Sequence, residues 1–195
     1  MRKLMILGLM LALFSVSASA QTWEFDKAHS EVGFEVSHMV ISDVSGQFTD
    51  FDGKITNFDG KDFTKAGVEV TIQAASIDTR NEKRDSHLRS GDFLLVDSFP
   101  TITFVSTSVT QPQDKEFKIV GDLTIRGVSR QVTLDATLNG IIEDPYGNTR
   151  AGFSAETEIS RQEYNVQFNA MLETGGLVVG DEVKIELQVE AIREK

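Results

Sequence analysis

The chain has 195 residues, with 30 acidic side chains against 19 basic ones, three histidines and no cysteine. A formal charge of −11 repels phosphate backbones and anionic membrane faces, which excludes nucleic acid as an expected partner. The lack of cysteine excludes disulfides, a thiol nucleophile and a lipid anchor through that residue.

Residues 1–20 read as a signal peptide. Arg2 and Lys3 form a basic head, Leu4 to Val16 an apolar stretch, and Ala18-Ser19-Ala20 a small-residue cleavage site. The apolar stretch is too short to span a bilayer. Cleavage would deliver a chain starting at Gln21 to the periplasm. Without Arg2 and Lys3 that chain holds 17 bases against 30 acids, a charge of −13. Residues 21–195 suit one domain, which buries roughly 70% of its unfolded surface.

In chain order, a strand is predicted over Thr22–Asp26. Glu31–Val36 follows, with Val32, Phe34 and Val36 on one face. Val44–Phe58 reads as a long strand bent near Gly53, and Val68–Ala74 as another. After a charged interlude come Thr101–Val109, Phe117–Ile125, Gln131–Leu138, Arg150–Ile159 and Glu182–Ala191. Strict alternation marks strands with one dry and one wet face. Turn signals stand at Asp52-Gly53, Asp59-Gly60, Asn139-Gly140 and Tyr146-Gly147-Asn148. Eight or nine antiparallel strands, several longer than ten residues, fit a single closed barrel, which leaves no edge exposed.

Two segments depart from period two. Asp78 to Phe93 carries four bases, four acids and a histidine. Thr79-Arg80-Asn81-Glu82 has the form of a capping box and Gly91 that of a C′ residue, predicting a helix from about Arg80 to Ser90. Asp85 and Arg89 have helix-pair spacing. With Leu88 as its one large apolar residue, the helix belongs across a barrel end, not in the core. Its bases either pair with neighbouring acids or act as a latch, some on strand-end acids and others facing a polar ligand head. The second segment, Arg161 to Gly180, is a long connection containing Gly175-Gly176, the kind of loop that often carries function.

His29, His38 and His87 share no tight ligand spacing, so no metal and no other cofactor is expected. No G-x-S-x-G or Gly-rich phosphate loop is present, and no acid sits alone in an apolar setting. The sequence therefore predicts no catalytic residues. The apolar faces say more. Bulky phenylalanines and isoleucines alternate with Gly33, Ala74, Ser106, Ala136 and Ala155. An eight-stranded barrel is either filled by its side chains or holds one small ligand, and the residues leave both open.

Six stretches in order resemble the YceI-like family of exported polyisoprenoid-binding proteins: "DKAHSEVGFEVSH", "GQFTDFDGKI", "DTRNEKRDSHLRSGDFLLVDSFPTITF", "VGDLTIRGVSRQVTL", "RAGFSAETEISRQEY" and "VGDEVKIELQVEA". The resemblance spans Asp26 to Ala191. It implies an all-β fold, an extended eight-stranded antiparallel lipocalin-like barrel with one short helix, about 80–90, in a crossover. In the family that crossover carries Arg-Asp-x-His-Leu, here Arg84, Asp85, His87 and Leu88. The resemblance also implies an apolar tunnel for a polyisoprenoid or other long-chain lipid. The side chains expected around it are Phe34, His38, Phe48, Phe51, Arg84, His87, Phe93, Phe104, Leu123, Ile125, Ala136, Phe153 and Ala155. The expected role is sequestration or transport in the periplasm, without catalysis and without metal, with homodimer formation left open. The rival readings are an enzyme acting on such a lipid and a solid-cored stress-response interaction protein. Asn165 stands where the family commonly has glycine, a change asparagine tolerates at positive φ. Gln131 stands where proline is frequent.

Overall fold

Alternating residues build eleven strands in the computed structural model, which describes residues 21–170 and 177–194. Residues 1–20, expected as a signal peptide, and the Gly175-Gly176 pair lie outside the described residues. The strands are β1 (Thr22–Phe25), β2 (Glu31–His38), β3 (Ser42–Phe48), β4 (Phe51–Thr56), β5 (Gly67–Gln73), β6 (Ile77–Asp78), β7 (Thr101–Gln113), β8 (Glu116–Ile125), β9 (Val128–Glu143), β10 (Thr149–Ser160) and β11 (Val179–Arg193). One helix, α1 (Glu82–Arg89), lies in the crossover from β6 to β7.

All pairings are antiparallel. The order β1-β4-β5-β7-β8-β9-β10-β11 returns to β1, so the sheet closes on itself. β2, β3 and β6 extend the wall upward from β11. β1 and β2 are one strand broken by a 3-10 turn at Lys27–His29, and β5 and β6 are one strand broken at Ala74–Ser76. With β3 and β4 joined likewise, the barrel has eight strands.

The break between β3 and β4 falls at Thr49-Asp50, not near Gly53. Thr49 donates from its amide to Ser76 O, while the Gln73 amide and the Ser76 hydroxyl donate to Asp50 O. Two neighbouring strands therefore kink together and are tied at the kink. Asp52-Gly53 stays inside β4. Asn139-Gly140 is likewise no turn: β9 runs through it with a bulge, since Gly140 pairs with Gly152 and Leu138 with Phe153.

α1 is shorter than expected and differently capped. Asn81 is its N-cap, its side chain accepting from the Arg84 amide at 3.1 Å. The capping box fails because Arg80 turns left-handed (φ 62°) and its amide is taken by the Asp78 carboxylate. At the other end Ser90 is extended (φ −72°, ψ 177°) and its amide bonds His87 O, so Gly91 has no left-handed role.

The lower end of the barrel is filled by aromatic rings. The loop 57–66 brings Phe58 and Phe63 against Trp23, Phe117 and Phe153, with centroids 4.6–5.9 Å apart. Trp23 Nε1 donates to Phe58 O at 2.9 Å. At the upper end the crossover contributes Phe93 and Leu94, packed with Ile77 and Val166. The β8–β9 turn holds that cover in place, Arg126 donating to the carbonyls of Phe93 and Gly91.

Candidate functional site

Inside the barrel, between the aromatic floor and the crossover, lies a cavity of about 230 Å³. For scale, an apolar cavity of about 150 Å³ stays dry and admits benzene. The wall is made by the inward faces of the strands, from Phe34 and Phe48 at the upper end to Ile55, Phe63 and Val68 at the lower.

Small residues keep this space open. Ala136 and Ala155 face each other across β9 and β10. Gly46, Gly53 and Gly121 act differently: each lies beneath a phenylalanine ring. A Cβ at these positions would lie 2.4 Å from the rings of Phe34, Phe25 and Phe104 respectively. The rings thus lie flat over the neighbouring backbone instead of standing in the cavity. Ala74 is buried away from the cavity, and the Ser106 hydroxyl is used by the Val68 amide at 2.8 Å.

Of the side chains expected around the tunnel, Phe34, Phe48, Phe93, Phe104, Leu123, Ile125, Ala136, Phe153 and Ala155 border the cavity. The other four do not. Phe51 is buried in the surrounding core. His38 ends β2, half-buried, opposite Ser42 and Val179. His87 stands edge-on to Phe93 and Phe168 and bonds Asp92 at 2.9 Å.

Arg84 donates to the hydroxyl and the carbonyl of Thr79, at 2.7 and 2.8 Å. Asp85 makes no pair with Arg89. It is 3% exposed and accepts from the amide and hydroxyl of Thr79. Arg89 instead reaches the carbonyls of Ala75 and Ile77, and Glu82. The crossover is therefore latched through backbone carbonyls and Thr79, not through strand-end acids.

Three polar side chains border the cavity and were not predicted to: Thr157, Arg161 and Tyr164. The inward series Ala151, Phe153, Ala155, Thr157, Ile159 runs on to Arg161 at the same period. Arg161 is 5% exposed and donates to the carbonyls of Gly180, Val166 and Val179 at 2.7, 2.7 and 3.2 Å. Burial lowers its pKa from the usual guanidinium value. The turn that follows, Arg161–Tyr164, is closed by Asn165 in the left-handed region (φ 60°). Asparagine thus meets the conformation that glycine would.

Outside the barrel the carboxylates of Asp26 and Glu190 and the His29 ring lie within 4.8 Å of one another. Arg150 occupies this cluster. Its guanidinium bonds Asp26, Asp144 and Glu190, which satisfies the negative charge a metal would need. Arg150 holds the Asp144 carboxyl well below the ordinary carboxylate range, and it does the same for Asp26, with help from His29.

A closed eight-stranded antiparallel barrel around an apolar cavity places the molecule among lipocalin-like barrels. The chain belongs to the YceI-like family: the model of the YceI-like domain matches residues 23–191. A UPF0312 protein of Staphylococcus aureus (strain USA300) is 42% identical over 167 residues, 85% of this chain and 94% of that one. Among solved structures, Burkholderia cenocepacia BcnA superposes with a TM-score of 0.75 at 24% identity, covering 85% of this chain and 98% of that one. A polyisoprenoid binding domain from Saccharophagus degradans, implicated in plant cell wall breakdown, gives 0.67 at 14% identity, covering 88% and 98%.

Proposed function

We propose that this protein is a periplasmic, non-enzymatic carrier that holds a polyisoprenoid or similar long-chain amphiphile in its barrel. The observation that carries this reading is the cavity of about 230 Å³ with an almost wholly apolar wall. Membership of the YceI-like family and likeness in fold to a polyisoprenoid binding domain support it. Among the described residues no histidine, aspartate or glutamate borders the cavity.

The energetics favour a long chain. Each buried methylene contributes about 0.8 kcal/mol, whereas association costs at least about 4 kcal/mol. About five carbons merely offset that cost, and affinity grows only beyond them.

Mass spectrometry of an organic extract of the purified protein tests the proposal, with Ala155→Phe as the plugged control. Wild type is expected to yield one class of isoprenoid at near-stoichiometric amount. Ala155→Phe should keep its melting temperature and lose the lipid. An empty wild-type extract, together with a plugged variant that unfolds, would mean a solid barrel.

A further inference from the structure

The β2–β3 turn is built from residues that such turns ordinarily avoid. The two strands pair from Val32–Phe48 up to His38–Ser42, and Met39, Val40 and Ile41 close the hairpin. The Ile41 amide donates to His38 O at 3.3 Å, and Met39 and Val40 both have positive φ, 54° and 62°. Hairpin turns of this kind favour asparagine and glycine, and a β-branched residue at positive φ is strained. The β8–β9 turn meets the same demand with Arg126 and Gly127, at φ 48° and 74°.

The strain is not offset by burial. Met39 is 38% exposed, Val40 72% and Ile41 84%. Among the described residues the other exposed large apolar side chains, Val105, Ile142 and Tyr146, are not consecutive. A polar turn would relieve the backbone and show less apolar surface to water, and strain kept at such a place points to function. The position of the tip says which function. β6 pairs with β3 only at Gln47 and Phe48, so Ser42–Gly46 runs on past it for about 17 Å. Val36 and Val179 border the cavity, Val179 lies opposite His38, and the Met39 amide donates to Val178 O at 3.0 Å. The tip thus stands above the upper wall of the cavity, at the end away from the aromatic floor.

We infer that Met39, Val40 and Ile41 dip into the surface of a zwitterionic phospholipid bilayer and set the upper end of the cavity against it. The inference rests on the carrier reading for its occupant, since a ligand suited to an almost wholly apolar wall resides in a bilayer and not in water. A protein partner fits less well. Three side chains fall far short of the roughly 20–30 residues a side of a specific protein interface, whereas fluid lipid needs no matching surface. Glu35, Asp43 and Glu182 are exposed on the flanking strands, and the chain carries −11 overall. Both repel anionic headgroups and leave neutral ones as the partner. A single small anchor gives weak, reversible contact, which lets a carrier leave again.

The test is flotation with neutral phosphatidylcholine vesicles, using protein covering residues 21–195 and its Val40→Asn/Ile41→Ser variant. Wild type is expected to float with the vesicles and the variant to bind about tenfold more weakly, a difference worth about 1.4 kcal/mol. The variant should melt no lower than wild type, because asparagine tolerates the positive φ at residue 40. Adding anionic phosphatidylglycerol should weaken wild-type binding at low salt. Ile41→Trp should shift its emission to the blue on neutral vesicles, and Trp23, 1% exposed, does not obscure that signal. Equal flotation of wild type and variant, or an unshifted emission, would overturn the inference. Wild type that stays with the buffer would overturn it too, and an isoprenoid in its organic extract would then keep the carrier reading intact. Loss of self-association in the variant, in place of lost flotation, would make the tip an interface between copies and overturn the membrane contact. An empty extract from protein that floats through its tip would remove the carrier reading alone.

Discussion

Gly121 shows how single residues set the space inside this barrel. An added Cβ would meet the Phe104 ring at 2.4 Å and the Val105 carbonyl at 2.6 Å. The ring can swing inward but the carbonyl cannot. Gly121→Ala should therefore cost about 1–3 kcal/mol, as overpacking does, seen as a lower denaturant midpoint. Gly140→Ala is the control. Its Cβ meets nothing within 4 Å, so stability should stay within about 0.5 kcal/mol. At this scale the sequence was readable where alternation was strict. Phe104, Leu123 and Ala155 follow from period two alone. Arg161 and Tyr164 lie beyond the strand predicted over Arg150–Ile159, in the segment that reads as a long connection. Extending the count one more step would have turned Arg161 inward. Phe51 does lie on the buried face of β4 with Ile55, but it packs in the core and does not border the cavity.

The crossover is the element whose detailed bonding is least legible from its residues. Its charges and single leucine predict a short helix on the outside of a barrel end, and α1 is that helix. Its ends depend on which of several capping side chains captures which amide, a competition that composition does not decide. Thr79 looked like a cap and is instead the buried hub of the latch, joined to Asp85 and Arg84. Asp85→Ala would strand the Thr79 amide and hydroxyl in a dry setting. A loss of about 1–3 kcal/mol follows for each group left unpaired. Hydrogen exchange should localise the loosening to residues 79–95 before the strands are affected. Asp85→Asn, which keeps one acceptor oxygen, should lose less.

Across the whole molecule, closure of the barrel was legible because several long strands with one dry face have no other way to bury their faces without open edges. The paired kinks were not legible, since they arise from bonds between strands distant in sequence. The Arg150 cluster fastens the lower half, drawing the β9–β10 turn, the Lys27–His29 turn and β11 onto one guanidinium. Asp144 and Asp26 are both held below the ordinary aspartate value of 3.8. Their contribution is therefore complete above that value and is lost as pH falls through the lowered ones. Arg150→Met should melt earlier than wild type near pH 7, and the gap should close in thermal scans taken progressively below pH 3.8. β1 also pairs with β11, Trp23 lying opposite Arg193. The ring is thus sealed by its earliest and latest strands, and no partial chain can complete it. Such non-local pairing belongs to proteins that fold in milliseconds to seconds. During that interval the two unpaired borders and the greasy lumen are open to other copies. The surplus of negative charge then works kinetically, keeping unfinished chains apart until the last strand arrives.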